Sequence, residues 1–285
     1  FKDARFIRVA DNAAELRDNR RGEVEILASV GPTLEAMLER AGSRQGASAV
    51  TDWQQALHQK HQARSIQYQE AMRHAPTGSD GLMHPNMLLA ALRDALPAPT
   101  TVVADGGDFL SFARVGLPGQ TYLDPGPLGC IGVGTAFGIA ASLHQHDHAV
   151  VVATGDGAFG FNAMEVCTAA RHHAPVLIVV ANNGSWAIEV RDQAETHGQV
   201  VGTHLQFADY AAMAKGFGLH AQRVTKAEDL PQAIATALAN RPALLDVLVT
   251  PEAVSSDAKS GLAWVPDLQA LKAWDDAEEA WRGVA

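Results

Sequence analysis

The sequence is poor in cysteine, in basic residues and in long apolar runs. Its two cysteines, Cys130 and Cys167, lie in apolar helical or glycine-rich contexts and indicate no disulfide framework. No apolar run reaches transmembrane length, and no signal-peptide pattern opens the sequence. Basic residues number 22 against 32 acidic ones, a formal net charge of −10, which argues against nucleic acid and membranes as partners. A cytoplasmic location is therefore expected.

What the sequence does contain is a regular alternation of strand-like and helix-like segments. With 285 residues, 47% of them hydrophobic, the chain can build one large domain or two modest ones. The alternation is continuous from His84 to about Thr250. It predicts an α/β fold with a doubly wound, mostly parallel sheet.

A glycine-flanked acid, Gly155-Asp156-Gly157, follows one of the strand-like segments. Residues 149–154 form a short apolar and β-branched run, which is the pattern of a buried parallel strand. The two glycines permit a tight turn and a close approach of the backbone to a ligand.

A second buried strand is predicted at residues 176–180, and Asn162 is expected to cap a helix between the strands that ends near His173. Asp156 and Asn183 therefore each follow the carboxyl end of a strand, where open α/β sheets bind ligands. If the strands are neighbours, two side-chain oxygens converge there. Mg²⁺ prefers such oxygens, together with phosphate and water. The alternative is a strand-end turn that holds no ligand.

The glycine-flanked acid and, after twenty-four residues, Asn182-Asn183 resemble the magnesium–diphosphate signature of thiamine diphosphate enzymes. Residues 84–250 resemble the C-terminal, diphosphate-binding domain of the pyruvate decarboxylase/acetolactate synthase superfamily. The start of the chain resembles the end of that superfamily's Rossmann-like central domain. The resemblance implies thiamine diphosphate and Mg²⁺ as cofactors, with Asp156, Asn183 and the backbone carbonyl of Ser185 as metal ligands.

The resemblance also divides the chain into four parts. These are the end of the central domain (residues 1–45), a mostly helical connector (46–82), the thiamine diphosphate/Mg-binding domain (83–250) and a C-terminal tail (251–285). In the first part, strands are predicted at 6–10 and 23–28 and a helix at 32–41, with Leu34, Met37 and Leu38 facing inward.

Further cofactor-binding positions are carried over from the resemblance. A glycine-rich segment that includes Gly129, Cys130 and Ile131 is expected under the thiazolium ring, with Ile131 as the aliphatic wedge that bends the cofactor. The alternative for this segment is packing at a helix start. Ala158 is expected to offer its backbone amide to the diphosphate. The remaining predicted contacts are Gly107, Asp108, Gly155, Gly157, Asn183, Ser185 and Trp186, with a loop cap as the alternative for Asp108.

Glu189 is the predicted catalytic residue. It stands six residues beyond Asn183, similar to the Asn-Asn…Ile-Glu arrangement of pyruvate decarboxylase-like enzymes, whose Glu lies near the reactive carbon of the cofactor. In a partly apolar pocket beside Trp186 and Ile188, its pKa would rise toward working pH and suit proton transfer. The alternative is a solvated helix acid paired with Arg191 or a nearby Lys.

Three alternating histidines, His144, His146 and His148, connect a predicted helix to a predicted strand. This connection lies at the end of the sheet opposite the ligand-binding crevice. A surface loop is therefore expected rather than a metal site.

The tail after Pro251 is polar, with Lys259 and an embedded Trp264. Oxalyl-CoA decarboxylase and 2-hydroxyacyl-CoA lyase are similar in using a C-terminal segment to close over CoA. The tail is therefore a candidate substrate lid, with Lys259 near phosphate. The alternative is a disordered tail or one that packs between subunits.

This branch implies a lyase that cleaves or forms short 2-hydroxyacyl-CoA, with formyl-CoA and an aldehyde or ketone as the other partners of the reaction. A 2-keto acid decarboxylase, an acetolactate synthase-like carboligase and a cofactor-holding subunit are the alternatives. In the superfamily the glutamate that activates the cofactor belongs to a pyrimidine-binding domain, which no segment here matches. The implied partners are an acyl-CoA substrate, an N-terminal half or second chain with that glutamate, and further copies in a homodimer or tetramer.

Overall fold

The computed structural model describes residues 5–16, 21–41 and 48–255, with only the backbone at 48–50. The chain forms two compact units, whose described parts lie within residues 5–62 and 63–255. Among the described residues, no helix combines the length and the hydropathy of a membrane span.

The first unit contains the strands and helices that the sequence predicts. Strands β1 (Ile7–Ala10) and β2 (Val24–Leu27) pair in parallel, from Ile7 opposite Val24 to Ala10 opposite Leu27. Helix α1 (Val30–Ala41) follows them. The long helix α2 (Ser48–Arg73), of which residues 48–62 belong to this unit, confirms that much of the connector is helical.

The predicted inward-facing side of α1 is exposed. Leu34, Met37 and Leu38 are accessible over 52%, 41% and 72% of their surfaces, so the prediction that they face inward is wrong for the described residues. The physical reason is the size of the sheet, because two strands of four residues cannot bury the apolar side of a three-turn helix.

The second unit is built on a six-stranded sheet in which every neighbouring pair is parallel, in the order β4-β3-β5-β6-β8-β7. This confirms the predicted α/β fold. In chain order the elements are α3 (Pro85–Ala95), β3 (Thr100–Asp105), α4 (Asp108–Gly116), β4 (Thr121–Leu123), α5 (Gly134–His144), β5 (Ala149–Gly155), α6 (Asp156–Phe161), α7 (Glu165–Arg171), β6 (Val176–Asn182), α8 (Ala187–His197), α9 (Tyr210–Gly216), β7 (His220–Val224), α10 (Leu230–Ala239) and β8 (Ala243–Leu248).

Two apolar cores cover the two faces of this sheet. Along β5, Val151 and Ala153 pack in the core that contains residues of α3, α4 and α10. The alternate residues Val150 and Val152 pack in the core that contains residues of α5, α7 and α9. Because successive side chains of a strand point to opposite faces, a continuous apolar run serves both cores.

The chain changes direction across the sheet between β3 and β5. It moves from β3 to its outer neighbour β4 and then returns to β5 on the other side of β3. Since α4 lies on one face and α5 on the other, the connections diverge at the carboxyl ends of β3 and β5, which is the position where open α/β sheets bind ligands.

The helix expected from Asn162 to His173 is shorter than predicted, and a separate helix precedes it. Helix α6 begins directly at Asp156, and α7 begins only at Glu165 with Met164 as its N-cap. Asn162 is therefore not the N-cap, and that prediction is wrong. Its side-chain amide instead donates to the carbonyl of Gly132 at 2.7 Å, a partner from another loop that local sequence does not reveal.

Candidate active site

Three strand ends meet at one edge of the sheet. In the parallel register Asp105 of β3 lies opposite Thr154 of β5, and Gly155 of β5 lies opposite Ala181 of β6. Asp105, Asp156 and Asn183 therefore lie at the carboxyl ends of three adjacent strands. For Asp156 and Asn183, this is the arrangement that the spacing of the two motifs predicts.

Asp156 carries the feature that points most directly to a ligand. The residue is only 2% exposed, and its Oδ2 atom is buried without a hydrogen-bond partner in the described part of the chain. Burial raises the pKa of Asp156 to about 6, while backbone amides such as those of Gly157 and Gly184 act in the opposite direction. A buried carboxylate oxygen without a partner is unfavourable, and a divalent cation would satisfy it.

Asn183 and Ser185 form a tight turn beside this carboxylate. Asn183 is half-buried, and its Oδ1 accepts a hydrogen bond from the Ser185 amide at 3.0 Å around Gly184, whose φ is +61°. A carboxamide oxygen has a second lone pair, so Asn183 Oδ1 can still ligate a cation. Ser185 is buried.

A short ribbon that the sequence does not predict holds this turn in place. Ser185 forms an antiparallel bridge with His204. On either side, the Trp186 amide donates to Thr203 at 2.9 Å, and the Leu205 amide donates to Gly184 at 2.7 Å. The loop at 203–205 thus fixes the backbone on both sides of Ser185, one of the predicted metal ligands.

Asn182, the first asparagine of the motif, belongs to a separate polar network. It is fully buried, and its Nδ2 atom donates to Asp246 Oδ1 at 2.9 Å and to the Ala208 carbonyl at 3.0 Å. Asp246 is in turn paired with Arg223 at 2.7 Å. This polar network anchors the loop that precedes α9. Only the arrangement of β6, β7 and β8 reveals it.

Trp186 packs on the glycine-flanked turn. A Cβ atom on Gly157 would lie 2.7 Å from Cζ3 of Trp186, so only glycine leaves room for the indole ring. The ring also makes an edge contact with Phe161 at 6.0 Å between centroids. Ala158 is buried in the first turn of α6, beside Gly157.

The glycine-rich segment before α5 is held by Asp105. Gly129 and Cys130 are exposed and Ile131 is half-buried. Asp105 is 1% exposed and accepts hydrogen bonds from the amides of Gly132 at 3.0 Å and Gly134 at 2.7 Å. Burial raises the pKa of Asp105, and these amide hydrogen bonds act to lower it.

The role of Asp105 is not apparent from its own sequence position. An acid at the last position of a buried strand, followed by two glycines, is the available signal. Its hydrogen-bond partners lie beyond the next strand, so proximity in sequence cannot identify them.

Asp108 is part of an ion pair between two helices. It is 9% exposed, and its Oδ2 accepts from Arg191 Nη2 of α8 at 2.8 Å, while its Oδ1 is buried without a described partner. The adjacent Gly107 is close to α8 as well, because a Cβ atom there would lie 2.9 Å from Cδ1 of Ile188. These contacts join the start of α4 to the first turns of α8.

Glu189 is exposed in the first turn of α8. The partly apolar pocket predicted around it is not formed by the described residues. Glu189 is thus an exposed helix acid, as in the alternative, but its partner is not Arg191, because Arg191 binds Asp108. Within residues 5–16, 21–41 and 48–255 no salt bridge involves Glu189.

The histidine-rich connection between α5 and β5 is a surface loop, as predicted. His144 and His146 are exposed, and His148 is half-buried with its Nδ1 atom 2.9 Å from Thr101 Oγ1. No group of three or more His, Cys, Asp or Glu side chains in the described ranges could hold a metal. Cys130 and Cys167 are both free thiols.

Comparison with known families gives a match that includes the three strand ends. The family described as "Thiamine pyrophosphate enzyme, C-terminal TPP binding domain" matches residues 105–247, half of the chain. The chain belongs to this family. Thiamine pyrophosphate is another name for thiamine diphosphate. The matched residues contain all three strand ends.

Curated relatives of two kinds are similar to the chain. The Mycobacterium tuberculosis protein "Acetolactate synthase large subunit IlvG" is 36% identical over 187 residues, which cover 64% of this chain and 34% of the relative. The Bos taurus protein "2-hydroxyacyl-CoA lyase 2" is 33% identical over 171 residues, which cover 59% of this chain and 27% of the relative. The Caenorhabditis elegans protein of the same name is 29% identical over 225 residues, which cover 76% of this chain and 34% of the relative. The chain spans about a third of the length of these relatives.

Proposed function

We propose that this thiamine diphosphate enzyme is a lyase that cleaves, or in reverse forms, a short 2-hydroxyacyl-CoA. The observation that carries the cofactor site is the buried, unpartnered Oδ2 atom of Asp156 at the carboxyl edge of β5. The substrate class is supported by the relatives named 2-hydroxyacyl-CoA lyase.

The residues at the strand ends fit the cofactor with its metal. Asp156 and Asn183 supply side-chain oxygens and Ser185 a backbone carbonyl for Mg²⁺, which would offset the unfavourable burial of the Asp156 carboxylate. Gly155, Gly157 and Ala158 offer backbone that can approach the diphosphate closely. When bound, thiamine diphosphate supplies the electron sink that makes cleavage beside a carbonyl carbon feasible.

The proposed reaction needs two proton movements. Breaking the C1–C2 bond of the acyl-CoA removes the proton of the 2-hydroxyl group as the aldehyde or ketone leaves. A proton is then delivered to C1, which departs as formyl-CoA, so that atoms and electrons balance. Glu189 is the candidate to move these protons, because it projects from the helix that directly follows the metal-binding turn. Its exposure means that substrate or another subunit would have to exclude water around it.

The C-terminal tail is the proposed lid over CoA. Lys259 and Trp264 lie outside the described residues, but the residues that lead into the tail are described. Ala253 and Ser255 are buried, and the Ala253 carbonyl lies 3.5 Å from Arg191 Nη1. The tail therefore starts beside α8, the helix that carries Glu189.

An acetolactate synthase-like carboligase acting on 2-keto acids is the second candidate. The 36% identity with the mycobacterial acetolactate synthase subunit favours it. In either case the activating glutamate would come from an N-terminal half or a second chain, and the site would be shared between copies of a homodimer or tetramer. A cytoplasmic location completes the proposal.

Calorimetric titration of the full-length protein tests the substrate class. With thiamine diphosphate and Mg²⁺ present, 2-hydroxyisobutyryl-CoA is titrated, with CoA alone and pyruvate as comparisons. We expect saturable binding of the acyl-CoA and its turnover to formyl-CoA and acetone.

A truncation after Ser255 tests the lid. This cut keeps the buried Ala253 and the contact of Glu252 with Ser79, which a cut at Pro251 would remove. CoA-dependent binding that is lost on truncation supports the lid. Binding and conversion of pyruvate, without any binding of the acyl-CoA, would instead identify the 2-keto acid enzyme.

A further inference from the structure

Gly132 is held on both sides of its backbone by side chains from other segments. Its amide donates to both carboxylate oxygens of Asp105, at 3.1 and 3.0 Å. Its carbonyl accepts from Nδ2 of Asn162 at 2.7 Å. The residue adopts a φ of +97°, a conformation that favours glycine. We refer to Asp105, Gly132 and Asn162 as the Gly132 clamp.

The Asp105 side of the clamp is buried and highly connected. Its carboxylate also accepts from the amide of Gly106 at 2.7 Å and from that of Gly134, at the first residue of α5. A Cβ atom on Gly134 would lie 2.8 Å from Cβ of Asp105. One side chain at the end of β3 thus fixes the two amides that flank Val133.

The Asn162 side joins the same loop to α6. Asn162 follows the last residue of α6, Phe161, and a Cβ atom on Gly132 would lie only 2.6 Å from Cβ of Phe161. The loop therefore rests directly on the helix whose first residue is Asp156. Asn162 itself is exposed, so its side chain can be changed without opening a core.

We propose that Asp105 and Asn162 are positioning residues that set the glycine-rich loop for the ring of thiamine diphosphate. The loop residue adjacent to the clamp is Ile131, the predicted wedge under that ring. The Gly132 amide belongs to the peptide plane that Ile131 shares, and the Gly132 carbonyl belongs to the next plane. Clamping both fixes the backbone of Gly132, which immediately follows Ile131. The cofactor site thus has two separately supported parts, the metal-binding turn at 183–185 and the clamped loop. This inference rests on the proposed cofactor site.

The test compares two ligands that reach different parts of the site. Magnesium pyrophosphate probes only the diphosphate and metal part, whereas magnesium thiamine diphosphate probes the ring as well. In the full-length protein, we expect Asn162→Ala to weaken thiamine diphosphate binding about tenfold while pyrophosphate affinity stays within twofold, because one positioning hydrogen bond is lost. Hydrogen exchange of the amides at 131–134 should accelerate in the cofactor-free variant.

Asn240→Ala is the matched control. Asn240 is also an exposed asparagine whose Nδ2 donates to a backbone carbonyl, that of Thr236 at 2.8 Å, but it lies at the end of α10. This control should leave both affinities and the loop exchange unchanged. Asp105→Asn should reproduce the ligand selectivity of Asn162→Ala with a larger effect, since an amide cannot accept from all of these backbone donors.

Three results would overturn the inference. If Asn162→Ala lowers the affinities for pyrophosphate and for thiamine diphosphate equally, the clamp supports the whole strand edge and not the ring part of the site. If both affinities and the hydrogen exchange of the amides at 131–134 are unchanged, the loop does not depend on the clamp. If the unmodified protein binds neither ligand, the cofactor site itself is wrong, and that result is distinct from the other two.

Discussion

At the scale of single residues, Asp156 shows how burial prepares a carboxylate for a cation. Its Oδ2 atom has no hydrogen-bond partner among the described residues, and burial raises its pKa to about 6. An acid whose pKa is higher in the folded than in the unfolded state stabilises the fold fully at low pH. That contribution is lost as pH rises through the folded value.

We therefore predict a pH dependence of metal binding that Asp156 controls. Without metal, the protein should lose about 1–3 kcal/mol of stability as the pH rises from 4 to 6 through ionisation of Asp156. Mg²⁺-dependent binding of thiamine diphosphate should weaken below about pH 6, since protonation removes a ligand. Thermal unfolding and calorimetry at pH 5, 6 and 7.5 measure both effects.

Asp156→Asn supplies the comparison for this prediction. The variant should be at least as stable as the unmodified protein at pH 7.5 without metal, and it should lose most of the metal-dependent affinity. Cofactor binding by this variant with unmodified strength would show that Asp156 is not a ligand.

Two glycines of the same short helix provide a second prediction at residue scale. A Cβ atom at Gly157 would meet the ring of Trp186, whereas one at Gly160 would meet nothing within 4 Å. Gly157→Ala should therefore destabilise the protein by about 1–3 kcal/mol and change tryptophan fluorescence, because the indole must move. Gly160→Ala should be neutral or stabilising by up to ~1 kcal/mol. Equal effects in denaturant unfolding would contradict this account.

At the scale of elements, the edge of the sheet is organised by polar contacts between segments. Asp105 joins β3 to the start of α5, Asp108 joins α4 to α8, and Asp246 joins β8 to β7 and β6. Each of these acids is buried, and each accepts from a donor on another element. The loops that carry the predicted site are thereby held to the sheet rather than left to their local preferences.

The Asp246 network yields a prediction about the loop that precedes α9. Arg223→Met removes the partner of a fully buried carboxylate and a donor to the Ala208 carbonyl, so we expect a loss of about 3–5 kcal/mol. The exposed pair of Lys226 with Glu228 is the control, and Lys226→Ala should change stability by less than 1 kcal/mol. Denaturant unfolding measures both variants. A small effect of Arg223→Met would show that the network does not support the fold.

At the scale of the whole molecule, the second unit has the two cores of an independent domain. It also includes the last turns of α2, where Met72 is fully buried against the α3–α4 side of the sheet. The start of the binding domain predicted at residue 83 would leave Met72 out. Residues that precede position 83 therefore contribute to the core of this unit.

Two shortened chains test where the unit begins. A chain that starts at Ala63 should unfold cooperatively, with a stability close to that of the whole second unit. A chain that starts at His84 loses Met72 and the bridge of Met83 with Val249, and it should be less stable by about 2–5 kcal/mol. Equal thermal midpoints for the two chains would place the boundary at 83 instead.

Local sequence was sufficient to predict the central strands and the positions of the motifs. Uninterrupted β-branched runs form buried strands wherever both faces of a sheet are covered, so β5 and β6 could be predicted from local pattern. Glycine-flanked polar residues at the ends of such strands must lie at one edge of a parallel sheet. Asp156 and Asn183 could therefore be placed together before the fold was known.

The partners of the side chains follow only from the assembled fold. Asp105 with Gly132 and Gly134, Arg191 with Asp108, and Asn162 with Gly132 are contacts between segments separated by whole elements. The exposure of Glu189 and of the apolar side of α1 likewise depends on what the rest of the fold covers. Strand order sets these distances, and strand order is a property of the assembled sheet rather than of any local run of residues.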